Sequence, residues 1–510
     1  DYNDFSTSYT YPIYYSGNKT LAQWQAYGQD SSSVSINPVY DTDSTLVPLA
    51  LALDNKGTPI TSITDDINGT TRSETTPDMG AMEFTVEGSL LSGSYTIGTG
   101  GDFSSISSVG VPLVTLGISG PVTFNILSGT YDEPVLLGQV YGASAINTVT
   151  FQSADANADS VIWENTSNSS ASNYVLKLNG TDHITLKNIT FKNQGSSYSQ
   201  KIVLTGVTDS VAIENNTFLG YQGGNSSNHV SIYGNSADAT GLKIKNNTFT
   251  DGGNYAIYLD SDNSSSSPTG LEISSNTFTN TYSGIYAKYF DALTIRGNTI
   301  KGSYMYDYGV NLEYCDGANM VEDNSIYAPG MTYGLYLNRC QATSGSEATI
   351  ANNLISVEGN GIYIDYYNYY QNVYYNSVNV RVGYALYTSY GSSNNTLINN
   401  ILLNESTSSV AAYFYNTSVF SNSDHNDFYT EYTYPIHYSG YKTLEQWQAY
   451  GQDSSSVSID PMFDSDSSLV PASYILDNKG TPIAGITDDI NGDTRSETTP
   501  DMGAMEFTVE

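Results

Sequence analysis

Apolar and polar positions recur along the chain in short bursts with a fixed internal order. An aliphatic residue, a polar residue, a further residue and an asparagine are followed by Thr or Ser and then by a large apolar residue. Ile213-Glu214-Asn215-Asn216-Thr217-Phe218, Ile244-Lys245-Asn246-Asn247-Thr248-Phe249 and Ile273-Ser274-Ser275-Asn276-Thr277-Phe278 carry it fully. Ile295-Arg296-Gly297-Asn298-Thr299-Ile300 and Val321-Glu322-Asp323-Asn324-Ser325-Ile326 continue it, and weaker copies lie at Asn353, Asn376 and Asn400. The asparagines are 31, 29, 22, 26, 29, 23 and 24 residues apart. Two-residue alternation on each side of a polar kink predicts two short strands joined by a corner. A second set, Ala256-Ile257-Tyr258-Leu259, Gly284-Ile285-Tyr286-Ala287, Gly309-Val310-Asn311-Leu312, Gly334-Leu335-Tyr336-Leu337 and Gly361-Ile362-Tyr363-Ile364, predicts another strand in each period. A period in the twenties with two or three strands in it predicts a parallel β-helix, in which each position stacks on its counterpart one turn away. About eleven turns at ~4.8 Å would give a body roughly 50 Å long.

A longer repeat sits above this one. Residues 1–87 recur as 424–510 at a constant offset of 423, without a gap, and 18 positions differ while 69 are identical. The stretch from Asp65-Asp66-Ile67-Asn68-Gly69 to Phe84 is nearly the same as that from Asp488 to Phe507. The expected organisation is the closing module of one unit (1–87) followed by a complete unit (88–510). That unit divides into opening turns and cap (88–160), coils (161–423) and its own closing module (424–510).

Stacking assigns roles to columns. The position three before each asparagine (Ile213, Ile244, Ile273, Ile295, Val321, Ile350, with Leu186 as the counterpart one period earlier) and the position two after (Phe218, Phe249, Phe278, Ile300, Ile326, Ile355) are expected inside. The asparagines are expected at a corner that tolerates left-handed backbone, with amides bonded along the axis. The position two before reads Lys187, Glu214, Lys245, Ser274, Arg296, Glu322, nearly alternating in sign, as a surface ladder of cross-strand pairs would. Cys315 and Cys340 occupy equivalent positions one period apart, within reach of a disulfide if the turns are adjacent. The 45 tyrosines suit strands, and exposed rows of them could also meet sugar rings.

Composition narrows the function classes. The net charge is −35, from 17 basic and 52 acidic residues, so neither nucleic acid nor an anionic membrane surface is an expected partner. Apolar runs are too short to span a bilayer as a helix. Asp65, Asp66 and Asn68, and again Asp488, Asp489 and Asn491, set three oxygen ligands beside a glycine turn, loosely like a calcium loop. The alternative is a structural turn with Arg72 or Arg495 as an internal ion-pair partner. No cofactor is required by any motif, and calcium is the one candidate.

Residues Gly93-Ser94-Tyr95-Thr96-Ile97-Gly98, Gly120-Pro121-Val122-Thr123-Phe124-Asn125-Ile126, Gly129-Thr130-Tyr131-Asp132-Glu133 and Asn147-Thr148-Val149-Thr150-Phe151-Gln152-Ser153 resemble the opening of right-handed parallel β-helix repeat proteins. The ending, Thr443-Leu444-Glu445-Gln446-Trp447-Gln448 through Pro500-Asp501-Met502-Gly503-Ala504-Met505-Glu506-Phe507, resembles the closing module of such proteins in large surface chains of the Bacteroidota. The resemblance covers the whole unit. It implies an all-β, pectate-lyase-like right-handed solenoid with irregular end modules, export by the type IX route and a part in adhesion. A lyase of that fold would need a carboxylate cluster beside a basic proton acceptor. Candidate acids are Asp260, Asp262, Asp291, Asp307, Glu313 and Asp316, with Arg339 as the nearest base. No catalytic set emerges. The expected role is a non-catalytic segment of a long extracellular protein, a stalk or adhesin whose neighbours are further units of the same chain and whose outside partner is a polysaccharide or solid surface. A polysaccharide lyase or glycosidase, or a glycan-binding module, are the alternatives.

Overall fold

The computed structural model describes residues 1–7, 11–261 and 267–509. Three long sheets share one axis. The first holds 13 strands, from Leu91–Ile97 to Phe420–Asp424; the second holds 12, from Gly129–Asp132 to Asp427–Thr430; the third holds 13, from Val135–Leu137 to Tyr441–Lys442. Every neighbouring pair in them is parallel except the last, Ile436–His437 against Tyr441–Lys442. The coil is therefore longer than the expected eleven turns. The opening segment already forms strands at Leu91, and the first strands of the closing module complete the last turn.

The core follows the predicted columns. Leu186, Ile213, Ile244, Ile273, Ile295, Val321 and Ile350 are in register along the first sheet. Trp163, Phe191, Phe218, Phe249, Phe278, Ile300, Ile326 and Ile355 run along the second. Phe218 and Phe249 stack at 4.6 Å and 8°, and Phe249 and Phe278 at 4.8 Å and 12°. Each such buried side chain contributes roughly 2–3 kcal/mol relative to exposure. Where the second sheet's column presses on the third, the third sheet has room only for Gly284, Gly309, Gly334 and Gly361. A Cβ on Gly334 would lie 2.4 Å from Ile355 Cγ2, and one on Gly361 2.2 Å from Val378 Cγ1.

Both ends of the core are closed. Helix Ser107–Thr115 buries Val109 and Leu113 at the first turns. At the other end, helix Leu444–Gln448 starts on a capping box of Thr443 and Gln446 and buries Trp447 against Phe414, with rings 4.6 Å apart at 8°. Residues beyond it fold back along the outside of the second sheet. There Arg495 donates to Asn352 Oδ1 (2.9 Å) and lies 3.9 Å over the Tyr375 ring, while the amide of Ala504 donates to Ser377 Oγ. Leu354, Leu469 and Ala504 close a small apolar contact beneath.

Two local expectations are corrected. The left-handed residues are not the ladder asparagines but the ones before them, Asn215, Asn246, Ser275, Gly297, Asp323 and Asn352 among them, with Asn188 in the same place before Ile189. Asn, Gly and Asp tolerate that backbone best, which explains the doubled Asn-Asn in the motif. The charge column is in register as read, but its ion pairs are diagonal: Lys245 meets Glu272 (2.8 Å) and Arg296 meets Asp323 (2.7 Å). Long side chains reach across to a neighbouring column more easily than they fold straight along their own.

Candidate functional site

The asparagine column is a continuous buried ladder. Asn216, Asn247, Asn276, Asn298, Asn324, Asn353, Asn376, Asn400 and Asn426 each give an amide N–H to the next side-chain oxygen, at 2.9–3.2 Å. The same oxygen accepts the backbone N–H of the preceding asparagine, and the second amide proton goes to a carbonyl of the strand before, as from Asn324 to Ile295 (2.9 Å). Asp453 ends the ladder by accepting from Asn426 (3.0 Å) and from the Trp447 indole (2.8 Å). Every polar atom is used, so the column has nothing left for a ligand.

A second ladder, which the motifs did not reveal, joins the third sheet to the first. Asp182, Asp209, Asp291 and Asp316 each accept the backbone N–H of the residue stacked on them, namely Asp209 (2.8 Å), Thr240 (2.9 Å), Asp316 (3.1 Å) and Gln341 (2.8 Å). Burial raises the Asp182 carboxyl to about 6 and pushes Asp209 and Asp316 upward as well. Two of the candidate catalytic acids, Asp291 and Asp316, thus have structural partners.

Of the remaining candidates, Asp260 and Glu313 lie on the outer face of the third sheet, and Asp307 and Arg339 flank its strands. Tyr233, Tyr258, Tyr286, Asn311, Tyr336, Tyr363, Tyr387, Tyr413 and His437 form one column. Neighbouring rings are nearly parallel and close: 4.6 Å and 9° for Tyr258–Tyr286, 4.2 Å and 11° for Tyr363–Tyr387. Rings stacked this way spend their faces on each other and present edges outward, so a sugar ring finds few faces to lie on. Beside them run Asp260, Lys288 and Glu313 in register; Asp260 and Lys288 are an ion pair at 3.1 Å. Arg339 is held between Tyr314 and Tyr367 (5.3 and 5.8 Å) and donates to the Tyr314 hydroxyl at 2.7 Å. Asp307 has its carboxyl raised by burial. Asp262 lies outside the described residues.

Cys315 and Cys340 are stacked and fully buried, as free thiols rather than a disulfide. The Cys315 thiol points at Ala287 O (3.4 Å), and burial together with Cys340 drives its pKa up, away from reactivity. Of Asp65, Asp66 and Asn68, the buried Asp66 serves the backbone, while Asp65 and Asn68 are exposed. Asp66 accepts from Asn68, Thr70 and Glu83 amides at 2.8, 2.8 and 3.0 Å. In the second copy Asp489 does the same for Asn491, Asp493 and Glu506, with Asp488 beside it. Arg72 and Arg495 pair with Glu83 (2.8 Å) and Glu506 (3.0 Å), not with the aspartates. Among the described residues no group of three or more His, Cys, Asp or Glu is placed to hold a metal.

Lys201 was not legible in the pattern. It occupies the inward column that holds Ser231, Ala256 and Gly284 on later turns, is fully buried, and its ammonium has no hydrogen-bond partner among the described residues. Burial lowers its pKa from 10.5 to about 7 against the opposing pull of Asp251.

No curated protein matches the chain. Solved structures similar to it include the Dettilon tailspike protein (12% identity, TM-score 0.42, covering 67% of this chain and 62% of that one). Others are XylC in complex with xylose (9%, 0.43, 82% and 99%) and pectate lyase Pel9A (14%, 0.34, 82% and 98%). The family described as a right handed beta helix region matches residues 140–300, 228–342 and 283–446, and with a coil of three parallel sheets running through all of them the chain belongs to that family.

Proposed function

We propose that the chain is a non-catalytic segment of a long, exported surface protein, in which β-helical units follow one another as a stalk or adhesive array. One observation carries the reading: the closing module is present twice, and the second copy is used to seal and clasp a solenoid. The internal identity of 69 in 87 residues fits a chain lengthened by whole units. The acids that a lyase or hydrolase would draw on support the same reading, since Asp291 and Asp316 hold backbone amides and Asp260 is paired with Lys288. Of the described candidates Glu313 and Asp307 are left, Glu313 in the third sheet and Asp307 just before it. The −35 charge suits a surface held apart from neighbours in an extracellular medium, and export would give Cys315 and Cys340 an oxidising setting in which to join. The resemblance in the end modules points to type IX export in the Bacteroidota. Calcium is not needed by this reading.

Incubation with uronate-containing and neutral polysaccharides tests it. The expected result is no new reducing ends and no unsaturated products. Cleavage that disappears in Glu313→Gln or Asp307→Asn would overturn the reading in favour of an enzyme. Saturable binding without product would make the array an adhesin with a glycan partner.

A further inference from the structure

The two copies of the closing module hold the same internal bonds and differ in what covers them. Within each copy, Trp24 and Trp447 donate to Asp30 and Asp453 at 2.8 Å, and Asn3 and Asn426 donate to the same aspartates at 3.0 Å. Arg72 and Arg495 both donate to a glycine carbonyl, Gly80 or Gly503, at 3.0 Å. The first copy is therefore folded like the second.

The first copy does not make the second copy's outer contacts: it meets the coil instead where Leu51 donates to Thr115 O (2.8 Å), and Ser6, Leu21 and Ile36 share a cavity with Gly138, Asn179 and Asp182. In the second copy Asn426 Oδ1 accepts the last rung of the ladder from Asn400, strand Asp427–Thr430 pairs with Ile401–Asn404, and Trp447 stacks on Phe414. The cleft beside Arg495 receives Tyr375, whose hydroxyl donates to Thr481 O at 2.8 Å, and Asn399, which exchanges bonds with Thr481 at 2.7 and 2.9 Å. In the first copy Thr58, Arg72 and Gly80, the counterparts of Thr481, Arg495 and Gly503, line an open cleft of about 580 Å³. Ala81 is exposed where Ala504 is buried, and Ile60, Ile63 and Ile67 are 58%, 51% and 72% exposed. Asp4–Ser6 is bonded on one side only, within its own module, where Phe5 donates to Val34 O (2.9 Å), the Asp4 carboxylate accepts from Ile36 (3.0 Å) and Phe5 O accepts from the Ser35 hydroxyl (2.8 Å); no strand pairs with it as Ile401–Asn404 pairs with Asp427–Thr430 among the described residues.

We infer that residues 1–87 form a socket for the last turns of another β-helix of this build, whose final strand runs directly into Asp1. That occupant would add its last second-sheet strand parallel to Asp4–Ser6 and set an asparagine rung on Asn3 Oδ1. An aromatic ring would lie on Trp24, and a Tyr and an Asn side chain would enter the cleft at Arg72. A second molecule of the same chain does not fit, because its own final turns are covered by its residues 453–509. The inference rests on the array reading and names the surface through which one unit is locked to the next. The junction is then more than a tether: the module clasps the unit before it while the next coil starts at Leu91.

Hydrogen exchange tests this with two proteins. In the 510-residue chain, the amides of Asn3–Ser6 and Ala81 should exchange at least ~100-fold faster than those of Asn426–Tyr429 and Ala504, because the latter lie under the clasp. Equal rates would overturn the inference, as the face would then be satisfied without an occupant. In a chain extended by placing a copy of residues 88–423 before Asp1, the first copy's amides should slow to match the second's. Unchanged exchange in a folded extended chain would also overturn it. The array reading fails separately: a natural product of single-unit size, together with protection in the extended chain, would leave the socket standing and remove the array.

Discussion

Asn324 shows what one position in a stack carries. Its side chain donates to Ile295 O and Asn353 Oδ1, and its oxygen accepts twice from Asn298. Asn324→Ala would strand partners on both adjacent turns in a fully buried column, and a loss of about 2–4 kcal/mol is expected in denaturant unfolding. Lys201 has the opposite sign. Its pKa is about 7 folded and 10.5 as an ordinary lysine, so between those values the unfolded chain holds a proton that the folded chain lacks. Stability should therefore rise with pH from about 7 to about 10.5, and below 7 the cost of the buried charge is present in full. Asp251, and His229 with its own pKa lowered by burial, are the titratable neighbours. Lys201→Met should raise stability at pH 7 by roughly 2–4 kcal/mol and remove that part of the pH slope. A variant that unfolds earlier than the parent at pH 7 would contradict this.

At the scale of strands and corners, most of the fold was legible because a solenoid writes the same contact many times. The inward columns at Ile213 and Phe218 could be read from spacing alone. Asn-Asn marked the corner, although the spacing could not say which asparagine takes the left-handed backbone. Less legible were features that depend on which turn faces which. The diagonal pair Arg296–Asp323 and the amide-holding Asp291 and Asp316 look like any surface acids in one dimension. The glycine column was visible as Gly284, Gly309, Gly334 and Gly361, but its cause, contact with the second sheet's aliphatic column, was not. Gly334→Ala should destabilise by about 1–3 kcal/mol, because Ile355 and the Gly361 carbonyl both block the methyl. Gly110→Ala, in helix Ser107–Thr115 with open space around it, should instead be neutral or stabilise by roughly 0.5–1 kcal/mol. Equal effects at the two sites in thermal unfolding would show that backbone entropy, not packing, governs the column.

At the scale of the whole molecule, the repeat of 1–87 at 424–510 is the feature that a reading of single residues cannot supply. The second copy shows its use: Trp447 on Phe414, Asp453 under the asparagine ladder and Arg495 on Tyr375 and Asn352. The calcium-loop likeness and the cysteine pair were read from local spacing; in the structure Asp66 holds amides of its own turn, and Cys315 and Cys340 are free thiols. The central claim, that this is one period of an array, is tested most directly by the intact mass of the natural product. The account expects a chain well beyond 55.1 kDa, longer by whole steps of 423 residues. A natural product of about 55 kDa ending near Glu510 would contradict it.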